Sequence, residues 1–278
     1  IGGWGAGTGI AGVAGGGIYI LLSGPLGLSN PEIFVLMIPT ALLYWCAFHY
    51  LHRQAISGLE GFDLAKALGG TRSGAREGNA GDSSEQLNPH GSGAAPASWA
   101  NGKIAFRCSG LIMFSLAAVY LLEYTIYPGL DDRETLCSGK AWFTAMWMCY
   151  NVGVTMSRLS VAFFRIERVW LLTLFQLLNV IGWVVEVSTG RIRSLLPNDG
   201  GLYIMAGWMV LVGLCGGATY GNCMYLFNCK EGIPGNIREL GINLGFLMSN
   251  IGIAAATLSF SWLDKTVLAK DVLYPNGC

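Results

Sequence analysis

The chain has 278 residues, of which 53% are hydrophobic and 12% charged, and its formal net charge is zero. Because soluble domains average about 25% charged residues, this composition excludes an ordinary soluble domain and indicates an integral membrane protein. The neutral balance of charge also excludes a basic surface for nucleic acid.

Seven apolar segments are long enough to cross a bilayer, which takes about 20 residues in a helix. They lack the two-residue alternation of strands, so the sequence predicts an all-α polytopic membrane protein. The predicted spans are Trp4–Leu22, Pro31–Leu51, Ile104–Ile126, Ala141–Val161, Val169–Val187, Leu202–Phe227 and Leu240–Leu263.

A long polar stretch separates the first two spans from the other five. It predicts three parts: residues 1–52 as the end of an N-terminal helical bundle, residues 53–103 as a disordered cytosolic loop, and residues 104–278 as a C-terminal bundle. Arg165 and Arg168, in one short connection, support this orientation. If the polar stretch is the central loop of a two-bundle transporter, two spans before it and five after it mean that most of the front bundle is missing. We therefore expect the sequence to be a fragment.

The sequence contains no pattern of potentially catalytic residues that predicts an enzyme. His49, His52 and His90 do not form a metal-binding or catalytic motif, and no nucleophile elbow or phosphate-binding loop occurs. We therefore expect no catalytic residue, no cofactor and no metal.

Glycines at four-residue spacing recur in the last two spans, at Gly213, Gly217 and Gly221 and again at Gly241 and Gly245. Small residues at this spacing let helix backbones approach closely in lipid. The pattern predicts close helix packing, either static or between helices that slide during transport.

Among the charged residues within the predicted spans, three stand out, because a charge there needs a cavity or a partner. Glu123 is predicted near the non-cytosolic end of the third span, Arg158 near the cytosolic end of the fourth, and Glu186 at the end of the fifth. Each either anchors a helix end or faces a transport pathway. Counting along antiparallel helices places Glu123 and Arg158 at opposite membrane faces, roughly 20 Å or more apart.

Polar residues near Arg158 suggest a cytosolic vestibule. Tyr220 and Asn222 are predicted in the cytosolic half of the sixth span, where they would serve as hydrogen-bonding neighbours of the guanidinium. A guanidinium binds phosphate or carboxylate in a bidentate fork, so the vestibule would attract an anionic group. Hydrogen bonding between helices is the alternative explanation.

Several ordered motifs resemble those of the battenin family and cover nearly the whole chain outside the loop. They include Val119-Tyr120-Leu121-Leu122-Glu123-Tyr124 with Gly129-Leu130, Tyr150-Asn151-Val152-Gly153-Val154 followed by Ser157-Arg158-Leu159-Ser160, and Gly213-Leu214-Cys215-Gly216-Gly217-Ala218 with Tyr220 and Asn222.

The resemblance implies a fold like that of the major facilitator superfamily, with eleven spans, in the lysosomal or vacuolar membrane. It also implies a role in luminal pH, basic amino acids and the clearance of glycerophosphodiesters. Glu123 and Arg158 match family positions. Where the family has an aspartate in the last span this chain has Met248-Ser249-Asn250, and a sorting signal and a C-terminal prenylation box are not evident.

Two functional hypotheses follow. In the first, two bundles rock around a midplane site, Arg158 attracts an anionic solute, and Glu123 acts as a luminal gate or proton-responsive group. The expected partners are the lipid bilayer, a small solute and protons. In the second, the protein is a non-transporting membrane scaffold that regulates trafficking or proton pumping and binds protein partners through its cytosolic loop.

Overall fold

The structure is a computed structural model that describes residues 2–60, 98–197 and 200–269. Within those ranges it contains helices and no strand. In chain order the α-helices are α1 (Gly2–Ser23), α2 (Asn30–Glu60), α3 (Trp99–Tyr124), α4 (Asp131–Thr135), α5 (Lys140–Ser160), α6 (Val169–Thr189), α7 (Gly200–Cys229) and α8 (Arg238–Lys265). A π-helical turn (Thr125–Leu130) follows α3, and a 3₁₀ turn (Gly235–Ile237) precedes α8.

The predicted all-α polytopic class is confirmed, because each predicted span coincides with a helix. In the described part of the chain, five helical segments are long and apolar enough to cross a membrane. The helices α1 and α5 are not among those five. The first has only a short apolar part, Ile10–Ser23, and the second carries Asn151 and Arg158 within its length.

The helices on both sides of the predicted loop are longer than the predicted spans. The helix α2 continues past Leu51 to Glu60, and α3 begins at Trp99 rather than at Ile104. Ser98 explains the early start of α3, because its side chain accepts a hydrogen bond from the backbone N–H of Asn101 at 3.2 Å and caps the helix. The rest of the predicted loop, residues 61–97, lies outside the described residues.

The chain divides into two compact units, residues 21–91 and residues 1–20 with 92–278. This differs from the predicted grouping of residues 1–52 into one N-terminal part. Most of α1 belongs with the C-terminal helices because its glycines admit neighbouring side chains: a methyl group at Gly16 would lie 2.7 Å from Met148 and 2.9 Å from Trp147 of α5.

The smaller unit contains α2 within its described residues. The backbone N–H and the hydroxyl of Ser29 both donate to Oε2 of Glu32 at 2.7 Å, which fixes the start of the helix.

The larger unit is built on two pairs of parallel helices, with α5 along α7 and α3 along α8. Glycines set the close approach of the first pair. A methyl group at Gly153 would overlap the backbone of Val210, and one at Gly213 would overlap that of Tyr150. The close packing predicted from the glycine spacing is therefore confirmed.

Pro128 interrupts the helical path after α3. Proline lacks a backbone N–H and disfavours helical dihedrals in the residue before it, and Tyr127 accordingly has φ −110° and ψ 126°. The path resumes in α4 and continues to Thr135, so the third predicted span does not end at Ile126. Glu123 therefore lies farther from the end of the span than the sequence predicted.

Candidate functional site

Glu123 lies in the interior of the bundle, with 3% of its surface exposed. Its Oε1 accepts a hydrogen bond of 2.7 Å from the hydroxyl of Tyr150 in α5. Gly216 of α7 provides the space for the carboxylate, because a methyl group there would overlap it. Three helices therefore meet at this carboxyl group.

Arg158 lies over the ring of Tyr220, with its Cζ atom 4.5 Å from the ring centroid. A guanidinium over an aromatic face is attracted by the ring quadrupole, so the tyrosine orients the arginine. The structure places these two residues side by side, with the guanidinium stacked on the ring.

The carboxylate of Glu123 and the guanidinium of Arg158 interact electrostatically. The predicted separation of 20 Å or more is therefore wrong. Their partners on α7, Gly216 and Tyr220, are four residues apart on one helix face, about 6 Å along the axis. The predicted third span ends at Ile126, so the prediction places Glu123 near the membrane surface, whereas the helical path continues to Thr135.

A second arginine joins Arg158 at a cavity of about 340 Å³. The Cζ atom of Arg165 lies 4.6 Å from the ring centroid of Tyr225, and its Nη1 donates to the tyrosine hydroxyl at 3.2 Å. The polar lining of the cavity consists of Arg158, Arg165, Tyr220, Tyr225 and Asn228. Two guanidinium groups at one small cavity can bind an anionic group such as a phosphate.

Asn222 does not line this cavity and is 2% exposed. Its Oδ1 accepts a hydrogen bond of 2.6 Å from the backbone N–H of Ile166, and its Nδ2 donates to the carbonyl of Ala218 at 2.8 Å. The predicted role as a hydrogen-bonding neighbour of Arg158 is replaced by a positioning role, because this bond fixes the connection that carries Arg165.

Glu186 is 3% exposed and lies in the last turn of α6. Its Oε1 accepts hydrogen bonds from the backbone N–H groups of Ile192 at 2.8 Å and Arg193 at 3.0 Å. These bonds fold the chain back after the helix ends. The structure does not bring Glu186 to the arginine cavity, and its contacts agree with the alternative of a helix-end anchor.

Four residues of the site were not predicted as its members: Tyr150, Gly216, Arg165 and Asn228. The sequence indicates for Arg165 only a positive charge on one side of the membrane. The pairing of Arg165 with Tyr225 spans 60 residues, so no local pattern could reveal it. Tyr150 had a weaker signal, since it opens the motif that also contains Arg158.

Comparisons with known proteins cover nearly the whole chain. The family model described as CLN3 protein matches residues 1–269. A battenin of Dictyostelium discoideum is 30% identical over 291 aligned residues, which cover 98% of this chain and 67% of that protein.

Fungal proteins give matches of similar extent. Protein BTN1 of Chaetomium globosum is 26% identical over 91% of this chain and 59% of its own length. Protein btn1 of Aspergillus fumigatus is 28% identical over 91% of this chain and 58% of its own length. The chain thus spans less than two thirds of these two relatives. No solved structure matches the chain significantly.

The motifs around Glu123 and Arg158, the polytopic helical architecture and the match over residues 1–269 agree with one another. The chain is a multi-pass membrane protein that belongs to the CLN3 protein family.

Proposed function

We propose that this chain forms the greater part of a lysosomal or vacuolar membrane transporter that moves a small solute by alternating access. The observation that carries the proposal is the cavity where Arg158 and Arg165 lie together. Charged side chains are costly within a membrane protein and are typical of solute pathways. The connection after α5 carries arginines, and cytosolic connections are enriched in positive charge, so we orient this cavity toward the cytosol.

The solute we favour carries a phosphate, as a glycerophosphodiester does. Two guanidinium groups attract a phosphate and repel the cationic side chain of a basic amino acid. Tyr220 and Tyr225 hold the two guanidiniums in place, which reduces the entropy lost when an anion binds. The arrangement therefore supports an anionic solute over a basic amino acid.

Glu123 gives this site a means of responding to protons. Its carboxylate attracts Arg158, and protonation would remove that attraction and leave the guanidinium available to the solute. The other titratable groups that interact with this carboxyl group include Tyr120 and Tyr124 on α3 and Tyr150 on α5. We propose that Glu123 links proton binding to solute binding, a role that needs no position at the luminal surface.

Solute flux into proteoliposomes, measured with the full-length protein, tests the proposal. Arg158→Gln and Arg165→Gln should each raise the half-saturating concentration of a glycerophosphodiester roughly tenfold to a hundredfold, as expected for a charge-assisted hydrogen bond. The matched control is Arg168→Gln, since Arg168 lies in the same connection but not at the cavity. Equal flux in all three variants would exclude an anion pathway through this cavity.

The scaffold hypothesis makes the opposite prediction for the central loop. In the transporter, removal of residues 61–97 should leave solute flux intact, whereas a scaffold should lose its effect on trafficking or proton pumping. A fluorescent fusion of the full-length protein, imaged against a vacuolar or lysosomal marker, tests the location separately.

A further inference from the structure

A second cavity, of about 580 Å³, lies at the opposite end of α5 from the arginine cavity. Its volume falls in the range of small-molecule sites. The residues lining it are Tyr19, Tyr127, Asp132, Thr135, Leu136, Gly139, Phe143, Thr144 and Trp147. They come from α1, the π-helical turn after α3, α4, the connection that follows α4, and the first turns of α5.

Four aromatic rings dominate the walls, and each is partly exposed. Tyr127 stacks on Phe143 with ring centroids 6.4 Å apart, and on Tyr150 at 5.1 Å. The kink at Pro128 gives Tyr127 its non-helical backbone at this point of the cavity. These contacts hold the aromatic wall in place before any ligand binds.

The charge of this cavity is negative. Asp132 is the only charged side chain among the lining residues in the described part of the chain, and it is exposed. The neighbouring Arg133 forms an ion pair with Asp264 of α8. A cation entering the cavity would therefore meet a carboxylate and the negative faces of aromatic rings.

We propose that this cavity binds a small organic cation with an alkylated ammonium head, such as a trimethylammonium group. Aromatic rings around one carboxylate are the surroundings that such cations prefer. The carboxylate of Asp132 and the hydroxyls of the lining threonines and tyrosines can accept from an ammonium, so the aromatic walls are what favour an alkylated head. An alkylated ammonium has fewer donors or none to satisfy.

This site is independent of the proposed transport of an anion. Phe143 and Arg158 are separated by roughly 20 Å along α5, so one small solute does not reach both cavities. A substitution in the aromatic cavity that weakens the binding of an alkylated ammonium should therefore leave anion binding at the arginine cavity unchanged.

Titration calorimetry on the whole chain in lipid nanodiscs tests the proposal with three probes: choline, its uncharged isostere 3,3-dimethylbutan-1-ol, and ethylammonium. Choline should bind more tightly than both of the others. Asp132→Asn should weaken choline binding by up to roughly fivefold, the upper value for an exposed ion pair. Trp147→Leu should weaken it roughly twofold to thirtyfold, the range of one cation–π contact.

Glu167→Gln and Trp99→Leu are the matched controls, because both side chains are exposed and lie away from the cavity. Both should bind choline like the unaltered chain, as should Arg158→Gln. Asp132→Asn changes an exposed residue, so it keeps the test valid if Trp147→Leu does not fold. Equal binding of the uncharged isostere, equal binding of ethylammonium, or unchanged affinity in Asp132→Asn would each overturn the proposal.

Discussion

Gly216 is the position where the smallest possible change should disturb the buried carboxyl group. Gly216→Ala adds one methyl group to α7, and that methyl would overlap the carboxylate of Glu123. The carboxylate is held by the hydroxyl of Tyr150 at 2.7 Å, so it moves only by giving up that bond. Gly207→Ala in the same helix is the matched control, because nothing lies within 4 Å of a methyl group there.

Both substitutions gain up to about 1 kcal/mol of helix propensity. At Gly216 this gain is opposed by about 1–3 kcal/mol of overpacking and, if the carboxylate moves, by about 1.5–3 kcal/mol for a lost hydrogen bond to a charged group. Relative to Gly207→Ala, we therefore expect Gly216→Ala to lower the free energy of unfolding by about 1–3 kcal/mol from overpacking alone, and by about 2.5–6 kcal/mol if the hydrogen bond is also lost. Thermal unfolding in detergent micelles, calibrated by denaturant titration, measures the difference.

The double variant Gly216→Ala/Glu123→Ala separates steric overlap from a general intolerance of α7 to larger residues. If overlap with the carboxylate causes the loss, the effect of Gly216→Ala should largely disappear once Glu123 is truncated, which gives a large coupling energy. Equal stability of Gly216→Ala and Gly207→Ala would refute this account of how α3, α5 and α7 meet.

Two further predictions concern the positioning residues. Asn222→Ala should lower the free energy of unfolding by about 0.5–1.5 kcal/mol, because the partly buried hydrogen bond from the backbone N–H of Ile166 is lost. Hydrogen exchange at Ile166 should accelerate, and unchanged exchange would contradict this role. Glu186→Ala should cost about 2–4 kcal/mol, since the N–H groups of Ile192 and Arg193 lose a charged acceptor. Glu186→Gln keeps an oxygen acceptor and should cost less than half as much by thermal unfolding; equal losses would show that these bonds are not the cause.

The helices could be predicted from the sequence because a bilayer span requires a long apolar run, and such runs are local. Their ends could not be predicted as well. Ser98 starts α3 by capping a polar first turn, which hydropathy does not register. The sequence predicts that a span ends just before Pro128, although the helical path continues beyond it to Thr135. A proline shows where helical hydrogen bonds break, but it does not show whether the chain leaves the membrane there.

The charged residues of the candidate site could be predicted from the sequence, but the residues that they contact could not. Glu123 and Arg158 were identified because ionisable groups within spans require a physical reason. Their partners depend on which helices lie side by side, and the hydrogen bond from Tyr150 to Glu123 already spans 27 residues. Asn222 was predicted as a site residue because of its polar side chain near Arg158. Its hydrogen bonds instead connect parts of the protein, at Ile166 and Ala218.

The shared face of α7 has a thermodynamic consequence for the proposed transport. Gly216 places the carboxylate of Glu123, and Tyr220, one turn later, orients Arg158. An anion that binds Arg158 competes with the attraction of Glu123 for the same guanidinium. Because coupling between two binding sites is reciprocal, a proton on Glu123 must favour the anion by the same factor by which the anion favours the proton. Coupled uptake of a proton and an anionic solute would then require no further charged residue between the two sites.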